Sequence, residues 1–295
     1  MRVLVTGGLG MIGRVVVQQL LAAGISPVVV DQVAPAGAEI GVTSIQCDLT
    51  DLQATLEVVR DVDVVFHLAA IPNPTGPLER VLGVNVMSTY NVLEAARQNG
   101  IPRVIYSCSD SASGFGIHLV NLKPLYLPID ESHPMWPHET YSLSKYFGEE
   151  MLANYARAFG IEGIALRYTW VWTERDRPSV RRIAAARQAG LVDPNGWFGA
   201  FIGVEDVAQA FLLASQYRFP QDQHPPFEAF YLSSADTFMS EPTLDALARR
   251  FDPLPEIRDP QYFAANPHAV PFDTRKAQRM LGWKPSRFWR DYVDW

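Results

Sequence analysis

Cysteine is nearly absent from this chain. Cys47 and Cys108 are the only two in 295 residues, far apart and without CxxC spacing. That excludes a disulfide framework and predicts two reduced, buried thiols in a cytoplasmic protein. The six histidines show no metal-ligand spacing, so no metal is expected. No apolar run reaches the ~20 residues of a membrane span. No basic, cleavable leader precedes the first apolar run, which starts at residue 2. Net positive charge is also missing. The formal charge is −7, which favours neither nucleic acid nor an acidic membrane surface as a partner. Internal repeats and low-complexity segments are lacking. Lysine is the last scarcity: it occurs at Lys123, Lys145, Lys276 and Lys284, and every other basic residue is arginine. The lysine that ends "YSLSK" (141–145) therefore asks for a reason, because a compact ammonium and a planar guanidinium are not interchangeable.

What the chain has in quantity is apolar surface. Hydrophobic residues make up 48%, enough for a sizeable core in one large domain or two small ones. Short apolar runs alternate with helical patterns. "RVLVT", "PVVVD", "TSIQCD", "VDVVFHLA" and "RVIYSCS" read as strands. "MIGRVVVQQLLAAG", "LQATLEVVR" and "NVMSTYNVLEAARQNG" read as helices, the first and third ending at Gly24 and Gly100. A loop rich in Ser, Gly and Pro follows, then a helix from about Tyr141 to Gly160 and the strand "EGIALRYT". This rhythm predicts an α/β fold, a Rossmann-type doubly wound parallel sheet with helices on both faces. Past Thr169 the rhythm weakens. Residues 170–199 read as irregular and rich in Arg and Trp, and 236–295 as a Pro-rich, compact tail. The expected organisation is a Rossmann domain over 1–169, rejoined by 200–235, with 170–199 and 236–295 forming a small substrate-binding lobe.

"TGGLGMIG" joins the first strand to the first helix and carries Gly7, Gly10 and Gly13. In that context the glycines permit a tight turn and close approach to a pyrophosphate held at the helix start. Asp31 closes the second strand, where a carboxylate accepts from two ribose hydroxyls and repels a 2′-phosphate, favouring NAD over NADP. Asp48 in "CDLTD" is placed either at the adenine edge or as a helix cap.

These pieces occur in a familiar order. "TGGLGMIG", "DLTD", "HLAA", "NVMSTYN", "YSCSDS", "YSLSK", "LRYT", "GVEDVAQAF" and "LGWKP" resemble, over essentially the whole chain, the extended short-chain dehydrogenases/reductases of the NAD-dependent epimerase/dehydratase group. The resemblance implies an enzyme using NAD on a small-molecule substrate. Tyr141 of YxxxK would be its acid/base. A tyrosine's ordinary pKa of about 10 is too high for a base at neutral pH, and the Lys145 ammonium lowers it. Lys145 would also grip the nicotinamide-ribose hydroxyls. Ser109 takes the catalytic serine position and would orient the substrate oxygen, with Ser107 as the alternative register. The family's Tyr-Gly after that stretch is Ser113-Gly114 here. Met11, Ile12, Leu49, Leu68, Ala69, Ala70, Asn85 and Tyr168 complete the implied cofactor-binding set. Asn85 could equally cap its helix, and His67 reads as core. The family often dimerises through two long helices, here about 85–99 and 141–159, so a homodimer is expected.

Three chemistries compete within the resemblance. Dehydratases of the family carry Thr-Asp-Glu where this chain has Ser109, Asp110 and Ser111, so the activating Glu is missing. Nucleotide-sugar enzymes follow "LRY" with Phe and an Asn that holds the diphosphate, and Trp170 stands in the Asn position. Both departures favour dehydrogenation of a sugar, sugar acid or small alcohol, with nucleotide-sugar epimerisation as the alternative. A catalytically silent NAD-binding sensor or scaffold is a further alternative, opposed by the intact Ser109, Tyr141 and Lys145. Asp110, Ser111 and Trp170 are candidate substrate contacts. Trp136, Trp170, Trp172 and Trp197 suggest an aromatic wall, or else core. Arg175, Arg177, Arg181 and Arg182 suggest an anion clamp, or else a solvated helix face.

Overall fold

The structure, a computed structural model, describes residues 1–34, 42–72, 76–116, 119–188 and 197–292. The first elements alternate strictly: β1 (Val3–Thr6), α1 (Met11–Ala22), β2 (Val28–Asp31), β3 (Thr43–Gln46), α2 (Leu52–Val58), β4 (Val64–His67), α3 (Leu78–Gln98) and β5 (Arg103–Ser107). A short β6 (Tyr126–Leu127) precedes α4 (Thr140–Phe159) and β7 (Glu162–Tyr168). Then come β8 (Trp170–Trp172), α5 (Arg177–Gln188), β9 (Phe201–Gly203), α6 (Val204–Gln216) and β10 (Phe227–Leu232). The tail holds α7 (Thr243–Arg250), β11 (Glu256–Ile257), α8 (Pro260–Ala265) and α9 (Arg275–Leu281).

Seven strands form the central sheet in the order β10-β7-β5-β4-β1-β2-β3. The registered pairs from β3 through β7 are parallel. β1, β4 and β5 are buried along their whole length, as inner strands covered on both faces must be. The chain runs from β1 outward to β3, then returns to the other side of β1 with β4. That reversal is the topological switch point, where open α/β sheets bind ligands at the strands' carboxyl ends.

Two compact units emerge. The first comprises Met1–Cys108, Glu139–Leu166 and Ala208–Ala229; the second comprises Ser109–His138, Arg167–Val207 and Phe230–Trp295. The second unit has two apolar cores. One gathers Phe115, Leu127, Phe198, Tyr231, Phe251 and Phe272. The other gathers Trp172, Val180, Phe201, Phe238, Trp289 and Tyr292.

Two local readings are corrected. The third helix begins at Leu78, not Asn85, with Pro77 as its N-cap. A proline is compatible with a helix start, so residues 78–84 extend the helix ahead of Asn85. The segment after Thr169 is regular as well. β8 pairs parallel with β9, Trp170 opposite Phe201. Thr173 and Asp176 then form a capping box that leads into α5.

Candidate active site

In the first unit the chemistry-bearing residues sit where β1, β2, β4 and β5 end. β1 stops at Thr6, and the chain turns through Gly7, whose φ of +66° lies in the left-handed region. A Cβ at Gly7 would stand 2.8 Å from the Ala69 backbone, so the turn and the end of β4 approach as only glycine allows. At Gly13, a Cβ would lie 2.2 Å from the Gly7 carbonyl oxygen, so α1 sits directly on the loop. Gly10 caps α1 without a side-chain bond, and the first turn, with Met11 and Ile12, carries no acid. The helix therefore keeps its positive end open to an anion.

Asp31, the last residue of β2, accepts from Leu9 N at 3.0 Å and from Val33 N at 3.2 Å. Its carboxylate braces the glycine loop from the neighbouring strand. Asp48 is exposed and accepts from Thr50 N at 2.9 Å and Thr50 Oγ1 at 2.8 Å. The cap of α2 is Asp51, which accepts from Ala54 N at 3.1 Å. A cap role for Asp48 is thereby corrected: it closes a local turn, and the helix starts only after Asp51. Leu49 is buried, and its carbonyl accepts from Asn91 Nδ2 at 2.9 Å.

At the end of β4, Thr6 Oγ1 accepts from Leu68 N and Ala69 N, each at 3.2 Å. Ala70 follows, half-buried. His67 bridges Thr6 Oγ1 at 2.8 Å and Thr89 Oγ1 at 3.0 Å. Burial, with the Lys145 charge adding to it, pulls the imidazole pKa down to about 3. His67 is thus a neutral core residue. Asn85 lies inside α3, which rules out the N-cap role. It accepts from Ile71 N at 2.7 Å and donates to Ile71 O at 3.1 Å and Ser144 Oγ at 3.0 Å. One amide thus ties the loop after β4 to α3 and α4.

Glu139 caps α4, accepting from Tyr141 N at 2.7 Å and from both the backbone N–H and the hydroxyl of Ser142. Tyr141 is half-buried in the first turn. Lys145, one turn on, is 3% exposed. Its Nζ donates to the Ser107 carbonyl at 2.7 Å, and lies 5.1 Å from the Tyr106 ring centre and 5.7 Å from that of Tyr141. Burial draws the ammonium pKa down to about 8, opposed by Cys108, so the group is still charged at neutral pH. Both cysteines are free and buried. Cys108 Sγ donates to Glu149 Oε2 at 3.2 Å.

In the second unit, Ser109 caps a short 3-10 turn, Asp110–Ser113. Its Oγ accepts from Ser111 N at 3.1 Å and Ser111 Oγ at 2.9 Å, and donates to Asp110 Oδ1 at 3.1 Å. Ser113 Oγ donates to the Asp110 carbonyl at 2.5 Å, closing the turn where the family has Tyr-Gly. Asp110 is 1% exposed, and its Oδ2 has no hydrogen-bond partner. Burial pushes its carboxyl pKa up to about 7, against the opposing pull of the Ser109 hydroxyl. Tyr168, at the end of β7, is buried.

The aromatic wall is corrected. Trp172 is fully buried, stacked on Phe201 at 4.2 Å and Phe238 at 5.4 Å between ring centres. Trp170 is half-buried against the same core, whereas Trp136 packs on the other one. The side chain of Trp197 lies outside the described residues. The arginines do not form a clamp either. Arg175, Arg181 and Arg182 are exposed. Arg177 pairs with Glu174, and Arg182 Nη2 donates to Ser179 Oγ at 3.0 Å. Their positions follow one helix and the turn before it, which is the solvated-face arrangement.

Several supporting residues escape sequence reasoning. Glu139 had a local signal, an acid just ahead of a helix start. Thr6, Thr89, Tyr106 and Ser144 had none, because their partners are distant in sequence.

The comparisons agree with this geometry. The model of the NAD-dependent epimerase/dehydratase family matches residues 3–224. A Methanocaldococcus jannaschii protein assigned as a UDP-glucose 4-epimerase is 30% identical over 73% of this chain and 74% of its own length. A uronate dehydrogenase of Pseudomonas syringae is 33% identical over 41% of each chain. A crystallised UDP-galactose 4-epimerase is 29% identical, with a TM-score of 0.69 over 99% of this chain and 96% of that one. A glycine turn under an uncapped helix, a strand-end acid and a YxxxK helix are thus what a family match over most of the length would require, and the chain belongs to the NAD-dependent epimerase/dehydratase family.

Proposed function

We propose that the chain transfers hydride between NAD and the hydroxyl-bearing carbon of a sugar, sugar acid or comparable small alcohol. Lys145 carries the reading. Its ammonium, tethered to the Ser107 carbonyl, stands 5.7 Å from the Tyr141 ring, where a positive charge favours phenolate over phenol. The first unit's residues fit the dinucleotide. The open start of α1 over the glycine turn suits a pyrophosphate, and Asp31 suits a ribose diol while opposing a 2′-phosphate. When bound, NAD supplies the hydride acceptor. The chain's own residues handle the proton. Ser109 holds the substrate oxygen, and Tyr141 takes the O–H proton as the C–H bond breaks. Lys145 holds the resulting charge pattern and the nicotinamide-ribose hydroxyls. In the reverse direction Tyr141 returns the proton.

Epimerisation of a nucleotide sugar is the second reading, favoured by the similarity to 4-epimerases over most of the chain. Against it stands Trp170, packed against the Trp172 core where those enzymes would place an amide for the diphosphate. The deciding experiment follows NADH absorbance across free sugars, uronic acids and small alcohols, with interconversion of UDP-glucose and UDP-galactose measured alongside. Net NADH from a substrate without a nucleotide is expected. Tyr141→Phe should lower that turnover by about 10²- to 10⁴-fold, the usual worth of a general base, while calorimetric NAD+ binding is retained. Interconversion without net NADH would establish the epimerase instead.

A further inference from the structure

We infer that Asp110 sets the substrate class: its buried second carboxyl oxygen takes a hydroxyl of an un-ionised sugar and turns a sugar acid away. This rests on the proposed role of Ser109 as the residue holding the substrate oxygen. Asp110 is the next residue, and its Oδ1 is committed to the Ser109 hydroxyl at 3.1 Å. Its Oδ2 is fully buried and has no hydrogen-bond partner. A buried, unsatisfied carboxyl oxygen is costly and is seldom left so without a purpose. A Cβ on Gly116 would lie 2.5 Å from Oδ1 and 2.8 Å from Ser111 N, so the backbone passes close against the carboxyl. The neighbouring hydroxyls are spent locally: Ser111 Oγ donates to Ser109, and Ser113 Oγ to the Asp110 carbonyl.

A sugar hydroxyl suits such an oxygen in either protonation state, because it donates to a carboxylate and accepts from a carboxylic acid. A substrate carboxylate suits only the protonated form and repels the ionised one. The carboxyl of Asp110 ionises near neutrality, so ionised Asp110 is present at working pH to enforce that repulsion. Arg175, Arg181 and Arg182, the cations that were candidates to offset a substrate anion, are exposed on α5 and the turn before it.

The test compares matched neutral and acidic pairs: galactose with galacturonate, and UDP-glucose with UDP-glucuronate. Each ligand is titrated calorimetrically into wild type and Asp110→Asn saturated with NADH, and kcat/KM is measured wherever turnover occurs. Wild type should prefer the neutral member of a pair on the order of a hundredfold, the size expected for like charges forced together in a desolvated site. Asp110→Asn should cut that preference at least about tenfold, mainly by improving the acid, because an amide donates to a carboxylate. If only the nucleotide pair binds, the small-alcohol reading fails while the neutral-over-acid ratio still stands or falls by itself. Equal or better binding of the acid by wild type overturns the inference. So does an Asp110→Asn variant that weakens both members equally, which would mark Asp110 as a support for Ser109 alone. Failure of every ligand to bind overturns the inference together with the functional reading.

Discussion

His67 and Asp110 are both buried ionisable residues, and they oppose each other in pH dependence. His67 has its folded pKa lowered to about 3 by burial, from an ordinary value of about 6.5. The stability it allows is present above about pH 6.5 and is lost as pH falls toward 3, since the unfolded chain binds the proton first. Asp110 has its folded pKa raised to about 7, from an ordinary value of about 3.9. Its contribution is complete below about pH 4 and is lost as pH rises through 7, because here the folded chain binds the proton first. Between about pH 4 and 6.5 the two slopes, about 1.4 kcal/mol per pH unit each, largely offset. Asp110→Asn should remove one of them. Relative to wild type, its stability should then fall by about 1.4 kcal/mol for each pH unit of acidification across that window. His67→Asn should diverge in the other direction. Urea denaturation at a series of pH values measures both, and parallel profiles for all three proteins would refute the assignment.

Among the elements, β5 shows how one side chain joins several. Arg103, its first residue, is buried and donates through Nε to Glu162 Oε2 on β7 at 2.8 Å. Its Nη1 donates to the Ser215 carbonyl at 2.6 Å, one of the last carbonyls of α6. A guanidinium at a helix C-terminus satisfies groups that have no partner within the helix and complements the dipole. Arg103→Met keeps much of the volume but strands the carbonyl and leaves Glu162 unpaired. Glu162 is about a third exposed, so water recovers part of its loss. The expected cost is about 2–4 kcal/mol, read from the urea midpoint. NAD+ affinity should be unchanged where the protein remains folded, because Arg103 lies at the amino end of β5 and the glycine turn at the carboxyl end of β1.

At the scale of the whole molecule, the prediction concerns association. α3 presents Met87 and Tyr90, 44% and 39% exposed, and α4 presents Phe147 and Phe159, 38% and 54% exposed. On α4 the exposed Phe147 and Phe159 lie on one side of the helix, with half-buried Met151 and buried Tyr155 between them at four-residue spacing. Tyr155 Oη donates to Glu94 Oε2 at 3.0 Å, which locks the two helices side by side. Two adjacent helices with exposed apolar stripes suit a second copy of the same pair in a closed twofold arrangement. Light scattering at micromolar concentration should therefore give a dimer mass, and Phe147→Glu should shift it toward the monomer. A monomeric wild type would refute the expectation. No described helix is long and apolar enough to cross a membrane, so these stripes are not spans.

The sequence by itself determined the features whose signal is local. Gly7, Gly10 and Gly13 sit between an apolar run and a helical pattern, and a turn of that kind needs no distant partner to form. Tyr141 and Lys145 are one helical turn apart, so their shared face follows from helix geometry alone. The alternation of strands and helices was legible for the same reason, each run carrying its own periodicity. Tertiary structure decided everything that depends on which surface meets which. Trp170 and Trp172 share one face of β8 and pack on one core, yet Trp172 is fully buried and Trp170 only half-buried, because Phe201 and Phe238 close over Trp172 on that face and stack on its ring. Asn85 looked like a cap until α3 was seen to begin at Leu78, and its real partners lie at Ile71 and Ser144. Lys145 needed Ser107, 38 residues away, to hold its ammonium in place. The acidity of Asp110 belongs to no motif at all. It comes from burial of the carboxyl in a folded turn, and burial is a property that a chain acquires only when distant segments close over it.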